Sequence, residues 1–468
     1  MADRISEFHD SILCHILSFL PTKHAATTSI LSKRWKSLWL SVLTLEFDCK
    51  SFEDMTCHGY SVHKLMLLRK IELPILSFRF NCNYWCPIQI QRDVTLFVSY
   101  VMNRGIENLN IHNDMKLPSS ILSCKTLKIL KLKGIIVNGF SHQLEFPVLK
   151  ILHLKRMSFE RHELVVKLLS GCKILEELQT KFLYILKDSF IPEKEFDGLL
   201  PSLIKASISF EDYIIPVNLV RNVENLYMEQ EQLICCTKLP MFHNLTHVKL
   251  KLFFNMWGWL QQMLEQCHKL QSLIVKGCEH QDEIKDQSWK DPPTVPNCLS
   301  LHLRTCCLAY CRGTESELQF AKYILQNSKI LKTMKIKYNY NVDMKVKDQI
   351  KMELSSSAKG STMCEVVSYN RSINEMLTFL CWKDIYGIRT VFNSDVNWFN
   401  ESVCGKIGDG NVMCFWQQSW IASSYKLISA FNEEVSPEDT LVLSGLADIW
   451  RSKAPSKINF FLLETIVE

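Results

Sequence analysis

The stretch Leu127-Lys-Ile-Leu130-Lys-Leu132-Lys133 is answered 22 residues later by Leu149-Lys-Ile-Leu152-His-Leu154-Lys155. In each copy the last two leucines are two positions apart, so a strand would place them on one face. Ile106-x-x-Leu109-x-Ile111 precedes them by 21 residues, and Leu175-x-x-Leu178 follows by 26. Further copies stand at Val223-x-x-Leu226-x-Met228, Leu245-x-x-Val248-x-Leu250 and Leu270-x-x-Leu273-x-Val275, the last two 25 residues apart.

So short a strand cannot bury its own apolar face, and a neighbour one repeat away must cover it. This motif at periods of 20–29 residues marks leucine-rich repeats. The irregular gap between Leu178 and Val223 leaves room for degenerate repeats, one of them at Leu203–Ile208. Alternation over Ile75–Phe80 suggests that repeats begin before residue 100. The residues between the leucines belong on the opposite, concave face. One column there reads His112, Lys133, Lys155, Lys181, Glu229, Lys251 and Lys276, and the column before it has Lys131, His153 and Lys249. A basic stripe would attract an acidic ligand or protein surface. The alternative is that these lysines keep exposed strands soluble. The candidate target-binding set is Lys131, Lys133, His153, Lys155, Lys181, Lys249, Lys251 and Lys276.

The chain of 468 residues suggests two to four domains. Its 47% hydrophobic and 22% charged residues exclude wholesale disorder, and a net charge of +5 is too mild to argue for nucleic acid. The apolar run Ile12–Leu20 stops at Pro21, far short of a membrane span, and no basic segment of a secretory leader precedes it. The 19 cysteines contain no Cys-x-x-Cys pair and read as reduced, buried thiols. A cytoplasmic or nuclear protein is expected.

Near the N-terminus, Asp10 is a good N-cap for a helix over Ser11–Leu20 that carries Ile12, Ile16, Phe19 and Leu20 on one face. A second short helix is expected over Lys23–Leu31, and a third from Ser32 with Trp35, Leu38 and Trp39 aligned. A unit of about 40 residues seldom buries enough apolar surface alone. It is read either as a module that docks on another protein or as a cap on the rest of the chain. Asp3-Arg4-Ile5-Ser6, Asp10-Ser11-Ile12-Leu13, Ile16-Leu17-Ser18-Phe19-Leu20-Pro21-Thr22-Lys23 and Thr28-Ser29-Ile30-Leu31-Ser32-Lys33-Arg34-Trp35-Lys36-Ser37-Leu38-Trp39 resemble the F-box of plant F-box/leucine-rich-repeat proteins. That resemblance implies docking on the Skp-type adaptor of cullin–RING ubiquitin ligases. It implies adaptor contacts by Ile5, Phe8, Ile12, Leu13, Ile16, Leu17, Leu20 and Pro21, with Leu31 and Trp35 behind them. Phe8-His9 stand where that family usually has Leu-Pro.

Trp289-x-x-Pro292-Pro293-x-Val295-Pro296-x-Cys298-Leu299 is similar to the opening of the FBD domain of the same plant family. Thr314 and Glu317 then form a capping box before a helix bearing Leu318, Ala321 and Leu325. Leu331-x-x-Met334-x-Ile336 repeats the strand pattern, and Val346, Ile350 and Leu354 would lie on a covering helix.

Residues 371–468 hold 8 Lys/Arg against 12 Asp/Glu, where residues 1–370 hold 46 against 37, and the leucine repeat is gone. Trp398-Phe399-Asn400-Glu401-Ser402-Val403, Lys406-Ile407-Gly408-Asp409-Gly410 and Ile449-Trp450-x-Ser452-Lys453-Ala454-Pro455-Ser456-Lys457 resemble the segment before the zinc-binding domain of plant non-LTR retrotransposon reverse transcriptases. The Cys/His ligands of that family lie beyond the matching stretch, so no zinc is expected. Gly408-Asp409-Gly410 also reads as a tight turn between two strands.

No phosphate-binding loop, G-x-S-x-G elbow or H-E-x-x-H motif is present. The expected fold is multi-domain α/β. On these resemblances residues 1–45 would form a three-helix F-box, 46–288 a repeat solenoid, 289–369 an α/β FBD cap and 370–468 a separate or poorly ordered retrotransposon-derived fragment. The expected function is a non-catalytic substrate-recognition subunit of a ubiquitin ligase, with no cofactor, metal, membrane or nucleic-acid partner. It would bind the adaptor at one end and an unidentified target protein on the solenoid. The alternative is a repeat-based binding scaffold uncoupled from ubiquitination.

Overall fold

The computed structural model describes residues 8–48, 68–69, 72–82, 88–116, 118–122, 124–140, 144–187, 196–210, 215–230, 239–251, 257–277, 289–339, 342–369, 404–406 and 412–414. The chain divides into two compact units, Phe80–Glu375 and the remainder, Met1–Arg79 with Met376–Glu468.

In the smaller unit α1 spans Asp10–Leu17, α2 Thr22–Thr27 and α3 Lys33–Ser41. The N-cap of α1 is His9 rather than Asp10: its ring accepts from the Ser11 N–H, and Asp10 joins the first turn. There its carboxylate faces the positive end of the helix. Two further expectations are corrected. The first helix stops at Leu17, where the Ser18 N–H turns back to Cys14 and His15, and the second gives way to a 3₁₀ turn over Thr28–Ile30. Leu13, Leu17, Leu20, Ala25, Trp35, Leu38 and Val42 form one buried cluster. Strand β1 (Thr44–Asp48) follows, its Glu46 N–H bound by the Thr22 hydroxyl at 2.8 Å, and β2 (Ser77–Asn81) reaches the division between the units.

The larger unit is a parallel sheet whose strands follow one another in chain order. They are β3 (Asn108–Lys116), β4 (Ile129–Val137), β5 (Ile151–Phe159), β6 (Glu177–Ile185), β7 (Lys205–Phe210), β8 (Asn225–Gln230), β9 (His247–Lys251), β10 (Ser272–Lys276), β11 (Thr305–Cys311), β12 (Thr333–Tyr338) and β13 (Glu365–Tyr369). Period-2 alternation puts the motif leucines inside: Leu130, Leu152, Leu178, Ala206, Leu226, Val248, Leu273, Cys306 and Met334 face each other strand by strand and are buried. The first leucine of each repeat is buried one turn earlier. The amide after it continues the stacking ladder, as in Lys150 N–H to Lys128 O (2.9 Å), Glu176 N–H to Lys150 O (2.9 Å) and Ile204 N–H to Glu176 O (2.9 Å).

The degenerate repeat is β7, with Leu203, Ala206 and Ile208 buried in the leucine positions. The segment from Trp289 holds three strands, β11 to β13, where one helix–strand repeat was expected. Helix Glu315–Asn327 carries the complete Thr314/Glu317 capping box, and helix Met344–Ser356 buries Ile350 and Leu354. Trp289, Trp257, Phe320 and Tyr323 pack with ring centroids 5.0–5.7 Å apart, which ties this segment to the preceding helix, Trp257–Gln266.

Of residues 370–468, only Cys404–Lys406 and Val412–Cys414 are described; they pair antiparallel on either side of the Gly408-Asp409-Gly410 stretch in the sequence. The remaining C-terminal motif residues, and Ile5 of the N-terminal set, lie outside the described residues. Among the described residues no helix is long and apolar enough to cross a membrane.

Candidate docking surfaces

The helical module sorts its apolar side chains into two kinds. Leu13, Leu17 and Leu20, expected to face a partner, and Trp35, expected behind them, are in the module's own core. Phe8, Ile12, Ile16 and Pro21 are half-buried, and Leu31 is exposed. The largest apolar exposures were not in the expected set: Phe19 is 65% exposed and Ile30 73%. Both sit where a helix has just ended, in the turn after α1 and in the 3₁₀ turn after α2. Their sequence signal is simple: each is apolar beyond the reach of the three-helix core. Arg34 of α3 fixes the start of α1, donating to Asp10 Oδ1 at 2.6 and 2.8 Å and to the Phe8 carbonyl at 2.5 Å.

On the larger unit, the outward face of the sheet carries the expected basic residues, aligned by the strand register. His112, Lys133 and Lys155 occupy one row on β3 to β5, and Lys181 follows on β6. Ser209 on β7 then stands beside Glu229 on β8, and Glu229 stands beside Lys251 on β9. The stripe is therefore not uniformly free. Glu229, with 7% of its side chain exposed, accepts from Lys181 at 2.8 Å and from Lys251. Burial opposes its charge, yet the two lysine hydrogen bonds hold the carboxyl below the usual range. His153 pairs with Glu177 at 2.7 Å, and Lys133 lies 3.4 Å from His112 Nδ1.

Toward β12 the balance changes. Lys249 lies over the Tyr227 ring at 5.0 Å and Lys276 over the Tyr310 ring at 5.7 Å. Burial, and then the charge and contact of Lys249, hold the Lys276 ammonium below the ordinary lysine range. Lys335 and Lys337 on β12, absent from the expected set, occupy the same two rows. Their sequence signal is the same offset that gives the other columns, counted from Leu331-x-x-Met334-x-Ile336. An open cavity of about 360 Å³ on this unit is lined by Gln179, Ser207, Tyr227, Lys249 and Ser272, among others.

Two of the buried thiols do not suit nucleophilic work. Burial pushes Cys172 and Cys298 up to about 12, far from the thiolate that attack requires. Among the described residues no group of three or more His, Cys, Asp or Glu could hold a metal ion.

Three family models match the chain in order: the F-box domain over residues 5–46, the repeats of the FBD-associated F-box protein At5g56370 over 97–186, and FBD over 291–336. Relatives in Arabidopsis thaliana include F-box/FBD/LRR-repeat protein At5g56420, 28% identical across 78% of this chain and 98% of that protein. F-box/FBD/LRR-repeat protein At4g00160 is 29% identical across 78% and 94%, and FBD-associated F-box protein At3g52670 is 29% identical across 78% and 97%.

Proposed function

We propose, for a chain that is an F-box, leucine-rich-repeat and FBD protein of the plant kind, that it is a non-catalytic substrate-recognition subunit of a Skp–cullin–F-box ubiquitin ligase. The observation that carries the reading is the exposure of Phe19 and Ile30 on a module whose own core is already filled. Apolar side chains of that size left in water favour a protein partner. In this proposal residues 1–45 are the docking module. Ile5, Phe8, Ile12, Ile16, Pro21 and Leu31 join Phe19 and Ile30 at the Skp-type adaptor, while Leu13, Leu17, Leu20 and Trp35 hold those residues in place. The sheet holds the target protein through its basic residues, Lys131, Lys133, His153, Lys155, Lys181, Lys249, Lys251 and Lys276. Catalysis by the complex then comes from proximity, with the target kept near a ubiquitin-loaded enzyme and no bond made or broken by this chain. The expected compartment is the cytoplasm or nucleus, where the ligase works.

The test is capture of the full chain by a purified Skp-type adaptor. Capture by the wild type, weakened at least tenfold by Phe19→Asp or Ile30→Asp with circular dichroism unchanged, supports the proposal. A folded wild type that the adaptor does not retain overturns it and leaves the uncoupled scaffold. Leu17→Asp is not a fair test, since it places a charge in the core of the module.

A further inference from the structure

The outward rows of the sheet end in a trough. Across β9 to β12 one row reads Lys249, Ile274, Cys307, Lys335 and the next reads Lys251, Lys276, Ala309, Lys337. In these two rows β11 therefore carries the small side chains Cys307 and Ala309. Lys276 stands on one side of that low floor, and Lys335 and Lys337 stand on the other. The register puts all three lysines on the two strands that flank Cys307 and Ala309.

Charge sets this trough apart from the rest of the face. Lys181 and Lys251 share Glu229, and His153 has Glu177. Among the described residues no acid pairs with Lys249, Lys276, Lys335 or Lys337. Lys249 and Lys276 instead contact each other, and each lies over a tyrosine ring, Tyr227 on β8 and Tyr310 at the end of β11. Like charges held together, with no acid paired to them among the described residues, are relieved when an anion arrives.

We propose that the β10–β12 trough binds an extended acidic segment of a protein, which lies along β11 with its carboxylates directed to Lys276 on one wall and to Lys335 and Lys337 on the other. The walls are two strand spacings apart, roughly 10 Å, wide enough for one extended chain. Successive side chains of such a segment point to opposite sides, as the two walls require. The Glu229 carboxylate, beyond Lys251, repels acid and marks the limit of the site on that side. Lys249 adds attraction at the near end.

The inference rests on the target-holding role proposed above, and the experiment separates the two. The full chain is titrated with a fluorescent octapeptide of alternating glutamate and serine, while adaptor capture is measured on the same samples. The wild type should bind the peptide more tightly at low salt and should ignore its glutamine counterpart. Lys276→Glu with Lys337→Glu should weaken binding at least tenfold, and Lys167→Glu, on an exposed helix position, should leave it unchanged. If the charge-reversed chain fails to fold, Lys276→Gln with Lys337→Gln should still weaken binding at least threefold. No peptide binding, equal loss with Lys167→Glu, full displacement by millimolar inorganic phosphate, or tighter binding of single-stranded nucleic acid each overturns the proposal. Loss of adaptor capture with peptide binding retained counts against the ligase reading alone.

Discussion

The Lys181 ammonium reaches past Ser209 on the intervening strand to the Glu229 carboxylate 2.8 Å away, joining residues 48 positions apart in the chain. Lys251 meets the same carboxylate from the opposite side. Removing the acid leaves two partly buried ammonium groups facing each other, so Glu229→Gln should destabilise the fold by about 1–3 kcal/mol. The check is thermal unfolding at neutral pH.

The same site fixes a pH dependence. The folded-state pKa of Glu229 is depressed, so its contribution is fully present above the unfolded value of about 4.3. It is lost as pH falls through the folded value. The stability gap between wild type and Glu229→Gln should therefore be constant from pH 7 to about 5 and shrink below about 4. A gap independent of pH would contradict this account.

Glu317 sits at the start of the helix Glu315–Asn327 and accepts from the backbone N–H groups of Arg312 (3.0 Å), Gly313 (2.9 Å) and Thr314 (3.0 Å). Glu317→Ala leaves all three donors without this acceptor and should cost about 2–3 kcal/mol. Burial holds the Glu317 carboxyl above the usual range despite these bonds, so its charge carries a penalty at neutral pH. Glu317→Gln keeps an acceptor without that charge and should cost less than the alanine variant. Chemical denaturation of the two variants compares them directly.

Gly313 has φ +80°, and a Cβ there would stand 2.8 Å from Ile350 Cδ1 and 2.9 Å from Val346 Cγ1. Gly313→Ala combines a left-handed backbone with a clash against the covering helix, for an expected loss of about 2–4 kcal/mol. Gly258 provides the contrast. It lies in the helix Trp257–Gln266 with open space around it, and Gly258→Ala should stabilise by about 0.5–1 kcal/mol.

Within the module, Arg34 and Asp10 are 34% and 62% exposed, so their ion pair alone is worth under about 1 kcal/mol. Arg34 also holds the Phe8 carbonyl. Arg34→Ala should change the melting temperature little and still weaken adaptor capture, because Phe8 loses its anchor. Capture at the wild-type level would remove Arg34 from the docking geometry.

Much of the fold was legible because its signal is local. The step of two within Leu130 and Leu132, recurring as Leu152 and Leu154, specifies a strand and its inward face without knowledge of any partner. Legibility failed where another residue took a leucine position. Leu303-x-x-Cys306-x-Leu308 obeys the same spacing, but its central apolar residue is a cysteine, and β11 went unread. At α1 both His9 and Asp10 offer cap chemistry, and only the backbone turn selects His9. In the candidate site the lysine columns could be read in advance, but their ionic state could not.

The sequence by itself determined that strands recur, which side chains they turn inward, and that a short helical module precedes them, since periodicity and chain length settle these points. The tertiary structure alone decided that Glu229 claims Lys181 and Lys251, that β11 sets a low floor between Lys276 and Lys337, and that Phe19 and Ile30 are left in water. The physical reason is that charge pairing and solvent exposure depend on distances between residues from different repeats, and those distances exist only once the strands have stacked in register.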